Sequence, residues 1–252
     1  MPTIDSTGRV NLGVVVARGG SKRFPGKNLR NLGGRPLITY AVLAAQQSHL
    51  LHDFIVSTDD PAIVQVAQAA GAKAPFLRPP ELAADDVPIW PVALHATREW
   101  EKLTGRLVDA IVLLQATSPL RTSDDIDGSI RRFWDLEADV CASVVRSHDS
   151  PYFNMVAPCS QASDLVRPLT EEMCGQTYRW DDHPVYALNG AVFVYRRSIL
   201  DGLTSQFRVG RYAVYPMPRC RSVDIDEPED LDLAEWYLQR SSGHVAQGSG
   251  DP

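Results

Sequence analysis

The sequence predicts an α/β fold, a mostly parallel sheet with helices on both faces. Over the first half of the chain, short apolar runs rich in β-branched residues alternate with longer stretches of helical periodicity, and glycine or proline stands at several of the joints. Residues 12–16 form the first run, continuously apolar and so expected to be a strand buried on both faces. Pro36 opens a helix that runs to Gln47, with Leu37, Ile38, Tyr40, Ala41, Leu43 and Ala44 supplying its apolar residues. A strand at 54–56 and a helix at 61–70, closed by Gly71, come next. A helix at 89–103 and a strand at 110–114 follow. Ser123 is expected to cap a helix ending at Trp134, and 140–145 returns to strand.

From about 147 to 185 this rhythm stops. The stretch has scattered prolines, several aromatics (Tyr152, Phe153, Tyr178, Trp180) and no sustained period, which reads as an inserted arm serving binding or assembly. Strands are expected again at 191–195, 212–215 and 222–225, then a final helix at 228–239. Residues 1–11 read as an N-terminal extension to one domain spanning 12–240, and the Gly/Ser-rich stretch 241–252 as a disordered tail.

Composition narrows the function. A formal charge of −6 over 252 residues argues against a general role on nucleic acid or on a membrane surface, yet leaves room for a local cationic pocket. Cys141, Cys159, Cys174 and Cys220 are widely spaced, with no C-x-x-C pair and no histidine at zinc-ligand spacing, as for ordinary thiols. No signal-peptide core or membrane-length apolar run is present, so a cytoplasmic protein is expected.

The chemistry concentrates directly after the first strand. There Ala17-Arg18-Gly19-Gly20-Ser21-Lys22-Arg23-Phe24-Pro25-Gly26-Lys27-Asn28 combines three glycines with four cations in an otherwise acidic chain. Glycines let backbone N–H groups approach a ligand, and in an open α/β sheet ligands bind beyond the carboxyl ends of the strands. This is a site for a polyphosphate. It is not a Walker A loop, because Asn28 follows Lys27, nor the dinucleotide G-x-G-x-x-G. Far along the chain, Asp224 and Asp226 stand at i and i+2; in an extended strand both carboxylates would face one hard cation.

Residues 17–28 closely resemble the signature loop of the acylneuraminate cytidylyltransferases, the CMP-sialic acid synthetases. The resemblance continues in order through Val56-Ser57-Thr58-Asp59-Asp60, Phe76-Leu77-Arg78-Pro79-Pro80-Glu81-Leu82-Ala83 and Leu113-Leu114-Gln115-Ala116-Thr117-Ser118-Pro119-Leu120-Arg121. It then takes in Ser150-Pro151-Tyr152-Phe153-Asn154-Met155, Asn189-Gly190-Ala191 and Ser222-Val223-Asp224-Ile225-Asp226.

This resemblance implies a Rossmann-like nucleotidyltransferase fold whose arm makes a homodimer or, by further pairing, a dimer of dimers. It implies that Arg18, Gly19, Ser21, Lys22, Lys27, Asn28 and Arg78 bind CTP, with Lys22 catalytic. Asp224 and Asp226 would hold Mg²⁺, Asp226 also taking the proton, and Gln115 and Asn189 would contact a sugar-acid substrate. Its carboxylate would fall to Arg179 in Tyr178-Arg179-Trp180-Asp181-Asp182-His183-Pro184, where Tyr178 and Trp180 depart from the family pattern. The implied reaction transfers CMP from CTP to the anomeric hydroxyl of a neuraminic- or legionaminic-type nonulosonic acid, releasing pyrophosphate. Pseudaminic acid or a small phosphonate as acceptor, and a glycosyltransferase using Asp224-x-Asp226, are the alternatives.

Overall fold

A computed structural model describes residues 8–84, 86–159, 166–170, 184–205 and 207–245. In chain order these form β1 (Asn11–Val16), β2 (Asn31–Leu32), β3 (Arg35–Pro36), α1 (Leu37–Gln47), β4 (Asp53–Ser57), α2 (Pro61–Ala69), α3 (Ile89–Thr104) and β5 (Ala110–Gln115). They continue with α4 (Ser123–Asp135), β6 (Val140–Arg146), β7 (Val156–Pro158), β8 (Val166–Pro168), β9 (Tyr186–Arg196), β10 (Tyr212–Pro216) and α5 (Pro228–Val245).

The main sheet has the order β10-β6-β9-β5-β1-β4, and every strand runs parallel except β9, which is antiparallel to both β5 and β6. All six residues of β1 are buried, as a continuous apolar run at the centre of a covered sheet requires. Alternate side chains divide between two cores. Val15, Val112, Leu114, Val192 and Val194 pack under α1, α2 and α4, while Val14, Ile111, Leu113, Phe193 and Tyr195 pack with Val92, Ala96 and Trp100 of α3. A third cluster of Phe24, Leu32, Leu37, Leu120, Val223, Ile225 and Ala234 lies under α5, pinning the loop after β1 and the segment before α5 to one another.

Several expectations shift in detail. Thr122, one residue before Ser123, caps α4: its hydroxyl accepts from the Asp125 N–H while the Asp125 carboxylate accepts from the Thr122 N–H. Residues 222–225 form no strand; there the Ile225 N–H donates to the Thr117 carbonyl in a loop. Strand β9 begins at Tyr186, five residues earlier than its apolar pattern indicated. Helix α5 continues to Val245, past the expected end at Gln239 and into the stretch read as tail. Of the expected arm, the described part contains the two-stranded antiparallel β7–β8 sheet. A small β2–β3 hairpin escaped the sequence reading; Gly33 and Gly34 form its two-residue turn with φ of 54° and 89°, the left-handed pair such a hairpin needs.

Candidate active site

The loop between β1 and β2 is held open by its neighbours. At the end of β4, Asp59 accepts from the Gly19 N–H at 3.2 Å and from Arg78 Nη2 at 3.3 Å, and Arg78 Nη2 also donates to the Ala17 carbonyl at 2.6 Å. Arg78 is 5% exposed; burial lowers its affinity for the proton, and Asp59 opposes that shift. Parallel pairing of β1 with β4 puts Val16 beside Ser57, so both loops leave the sheet at the same edge. A Cβ on Gly19 would lie 2.8 Å from Asp60 Oδ2, so the glycine is demanded by close approach to the cap of α2. Buried Asn28 fastens the loop's other side, donating to the Arg18 carbonyl at 2.9 Å.

Lys27 joins this loop to the aspartate segment. Its Nζ donates to the Ile225 carbonyl at 2.7 Å and to Asp226 Oδ1 at 2.8 Å, while Arg23 takes Asp226 Oδ2 at 2.7 Å. Burial pushes the Asp226 carboxyl up, but hydrogen bonding and charge from Lys27 and Arg23 outweigh it and hold the group below the usual range. Asp224 shifts the other way: burial raises its carboxyl against the opposing pull of Thr117. Neither aspartate caps α5. That task falls to Asp230, whose Oδ2 accepts from the Asp226 and Glu227 N–H groups at 2.9 Å each.

Gln115 and Asp224 both approach Gly190 at a bulge in β9. Pairing of β6 with β9 shifts register between Ala142 and Val144, and Gly190 sits in the bulge with φ of 71°. A Cβ there would lie 3.0 Å from Asp224 Oδ2 and 3.2 Å from Gln115 Nε2, so the backbone at Gly190 closes directly against both side chains. Asn189 shapes the bulge. Its Oδ1 accepts from Ser143 Oγ at 2.6 Å and the Ala191 N–H at 3.2 Å, and its Nδ2 donates to Ser222 Oγ at 3.0 Å and Met217 Sδ at 3.3 Å. Those four bonds use the amide's full capacity within the protein.

Three cavities converge here. One of about 200 Å³ is lined by Arg18, Lys27, Asn28, Arg78, Gln115 and Asp226; one of about 300 Å³ by Arg18, Ser21, Lys22, Arg23, Lys27 and Asp226. They share Arg18, Lys27 and Asp226, which makes one cationic trough along the loop. A third, of about 330 Å³, opens beside Asp224 and carries Arg146, His148, Arg219 and Tyr237. For a cation the fit rests on Asp224, whose Oδ1 is buried with no hydrogen-bond partner, and on Asp226 beside the trough. Among the described residues no group of three or more His, Cys, Asp or Glu side chains gathers, so these donors suit an ion that takes the rest of its shell from phosphate and water.

The structure therefore brings Arg18, Gly19, Ser21, Lys22, Lys27, Asn28, Arg78, Gln115, Asp224 and Asp226 to one edge of the sheet. It turns Asn189 inward as a brace. Arg179, with Tyr178 and Trp180, lies outside the described residues. Sequence reasoning missed Asp59 as the loop's buttress, Gly190 as the contact point, and the cations Arg146 and Arg219. Asp59 was within reach, since its motif directly follows the strand at 54–56; the other three depend on how β9 threads between its neighbours.

The chain is similar to known proteins over most of its length. The model of the family described as Cytidylyltransferase matches residues 12–239. The CMP-N,N'-diacetyllegionaminic acid synthase of Legionella pneumophila is 32% identical over 240 residues, covering 90% of this chain and 96% of its own. An N-acylneuraminate cytidylyltransferase of Escherichia coli is 29% identical over 92% of this chain, which spans 52% of that longer protein. Among solved structures, CMP:2-keto-3-deoxy-manno-octonic acid synthetase complexed with CTP superimposes with a TM-score of 0.69 at 18% identity, over 92% of this chain and 99% of that one, a likeness of fold. No helix of the described residues is long and apolar enough to cross a membrane.

Proposed function

Because the chain belongs to the cytidylyltransferase family, we propose that it transfers CMP from CTP to the anomeric hydroxyl of a sialic-acid-like nonulosonic acid of neuraminic or legionaminic type, releasing pyrophosphate. The observation that carries this reading is the cationic trough of residues 18–27, tied through Lys27 to the aspartate pair. Arg18, Ser21 and Lys22 hold the triphosphate. Charge grows on the departing pyrophosphate, so fixed cations there lower the barrier more than they stabilise bound CTP. Arg78, Asn28 and Asp59 keep the loop in shape for that task. Asp224 and Asp226 are the residues that would hold Mg²⁺, which when bound screens the phosphate oxygens and acidifies the attacking hydroxyl.

The acid occupies the cavity beside Asp224, where Arg146 and Arg219 offer cations for its carboxylate alongside Arg179. Gln115 orients its hydroxyls, and Asn189 acts through the bulge it braces. Of the two aspartates, Asp224 is the better placed proton acceptor, because its Oδ1 has no hydrogen-bond partner whereas Lys27 and Arg23 already occupy both oxygens of Asp226. The enzyme works in the cytoplasm as a homodimer. Exposed apolar residues on the arm, Phe153 at 65% and Val166 at 57%, support that face as the interface. Incubation with CTP, Mg²⁺ and a panel of neuraminic, legionaminic, pseudaminic and phosphonate acids, read by pyrophosphate release, tests the reaction. Turnover with a neuraminic- or legionaminic-type acid is expected; none with any nonulosonic acid overturns the assignment.

A further inference from the structure

Arg121 is a buried cation that the reaction, as set out above, does not use. It follows the Gln115–Leu120 turn and precedes the cap of α4, and its side chain is 4% exposed. Its Nη1 donates to two carbonyls, that of Gln115 at 3.1 Å and that of Ala191 at 2.5 Å. These carbonyls belong to adjacent antiparallel strands just past the last ladder pair, Leu114 with Val192. One guanidinium thus ties the end of β5, which carries Gln115, to the bulge of β9, where Gly190 closes on Gln115 Nε2 and Asp224 Oδ2.

Among the described residues the guanidinium pairs with no carboxylate. Neighbouring Asp125 is taken by Arg221 in two bonds of 2.9 Å, and Arg121 Nε and Nη2 are buried without a hydrogen-bond partner. Asp125 and Asp224 both act on it through space; burial lowers its pKa to about 10 against them, so it stays protonated at neutral pH. A buried cation with three N–H donors unmet costs stability. An apolar side chain would fill that volume more cheaply, which makes structural support alone a poor account of arginine here.

We infer that Arg121 is a positioning residue for acid transfer: it fixes the Gln115 side chain against Asp224 by joining β5 to the β9 bulge. The inference rests on the proposed reaction: Gln115 lines the inner end of the trough, next to Asp224, while Ser21, Lys22 and Arg23 line the outer part that Gln115 does not reach. Replacing Arg121 by glutamine should lower kcat/KM for the acid about 100-fold, the scale of a misplacement near 1 Å at a reacting centre. CTP affinity, measured by calorimetry, should change far less, because Ser21, Lys22 and Arg23 line a part of the trough that Gln115 does not. Arg121→Lys, which keeps the charge and can reach one carbonyl, should recover part of the loss.

A crystal structure of Arg121→Gln adds a readout that needs no substrate: the Gln115 amide and the backbone of Gly190 should separate from Asp224. Unchanged positions of these groups, unchanged acid kinetics, or an equal loss of CTP affinity would each overturn the inference. Should the glutamine variant fail to fold, Arg121→Lys decides alone by the same split between acid and CTP. If the wild type turns over no acid while the variant structure still shows the displacement, it is the proposed reaction that fails and the positioning that stands.

Discussion

Alanine at Gly190 probes the bulge that brings Gln115 and Asp224 together. The backbone there has φ of 71°, which costs a residue with a Cβ about 1–2 kcal/mol. The new methyl would stand 3.0 Å from Asp224 Oδ2 and 3.2 Å from Gln115 Nε2, so both side chains must withdraw by a few tenths of an ångström. For a domain of this size each kcal/mol moves the melting temperature by about 2–4 °C, giving an expected fall of about 2–8 °C. Since a 1 Å error at a reacting centre costs about 100-fold, the smaller shift should lower kcat/KM for the acid by about tenfold. CTP affinity should hold, because the triphosphate lies along the loop after β1. Thermal melting, pyrophosphate release with acid varied at saturating CTP, and CTP calorimetry read these separately. A variant that melts lower as expected yet keeps wild-type kcat/KM would refute the placement of Gln115 and Asp224 at the reacting centre.

Other perturbations test the loop and the core. Lys22→Ala should abolish pyrophosphate release while stability stays within about 0.5 kcal/mol, because Lys22 is solvent-exposed; retained turnover would remove it from the chemistry. Asp59→Ala unties the Gly19 N–H and the Arg78 guanidinium and should weaken CTP binding about tenfold, the worth of one charge-assisted hydrogen bond. An unaltered dissociation constant would show that Asp59 does not shape the trough. Burial pushes the Cys141 thiol up to about 12, whereas Cys159 and Cys220 are exposed. A thiol reagent at pH 8 should therefore label the latter two quickly and Cys141 only on unfolding, and fast native labelling of Cys141 would contradict the buried β6.

The parts that the sequence exposed are those whose physics is local. Residues 12–16 are apolar at every position, and only a strand covered on both faces makes use of that. Glycines and cations adjacent in the chain must share one loop, so residues 17–28 announced a phosphate site before any fold was known. The α4 cap was one residue off because Thr122 and Ser123 are chemically alike, and only the reciprocal bond to Asp125 separates them. Asp224 and Asp226 are like carboxylates two positions apart, yet burial raises the one while Lys27 and Arg23 hold the other below the usual range. Lys27 and Arg23 reach Asp226 across about 200 residues of chain, while Asp224 is turned into the protein.

What the chain alone determined, then, is the alternation that makes the sheet, the cationic loop at its first strand end, and the pair of acids. Tertiary structure decided which partner each of these meets. The antiparallel course of β9 is set by sheet pairing rather than by any pattern within residues 186–196, and it creates the bulge that puts Gly190 between Gln115 and Asp224. Asn189 became a brace, and Arg78 and Asn28 became fastenings of the loop, because burial obliges a polar side chain to find its hydrogen bonds in the protein around it, and that surrounding is assembled from segments remote in sequence.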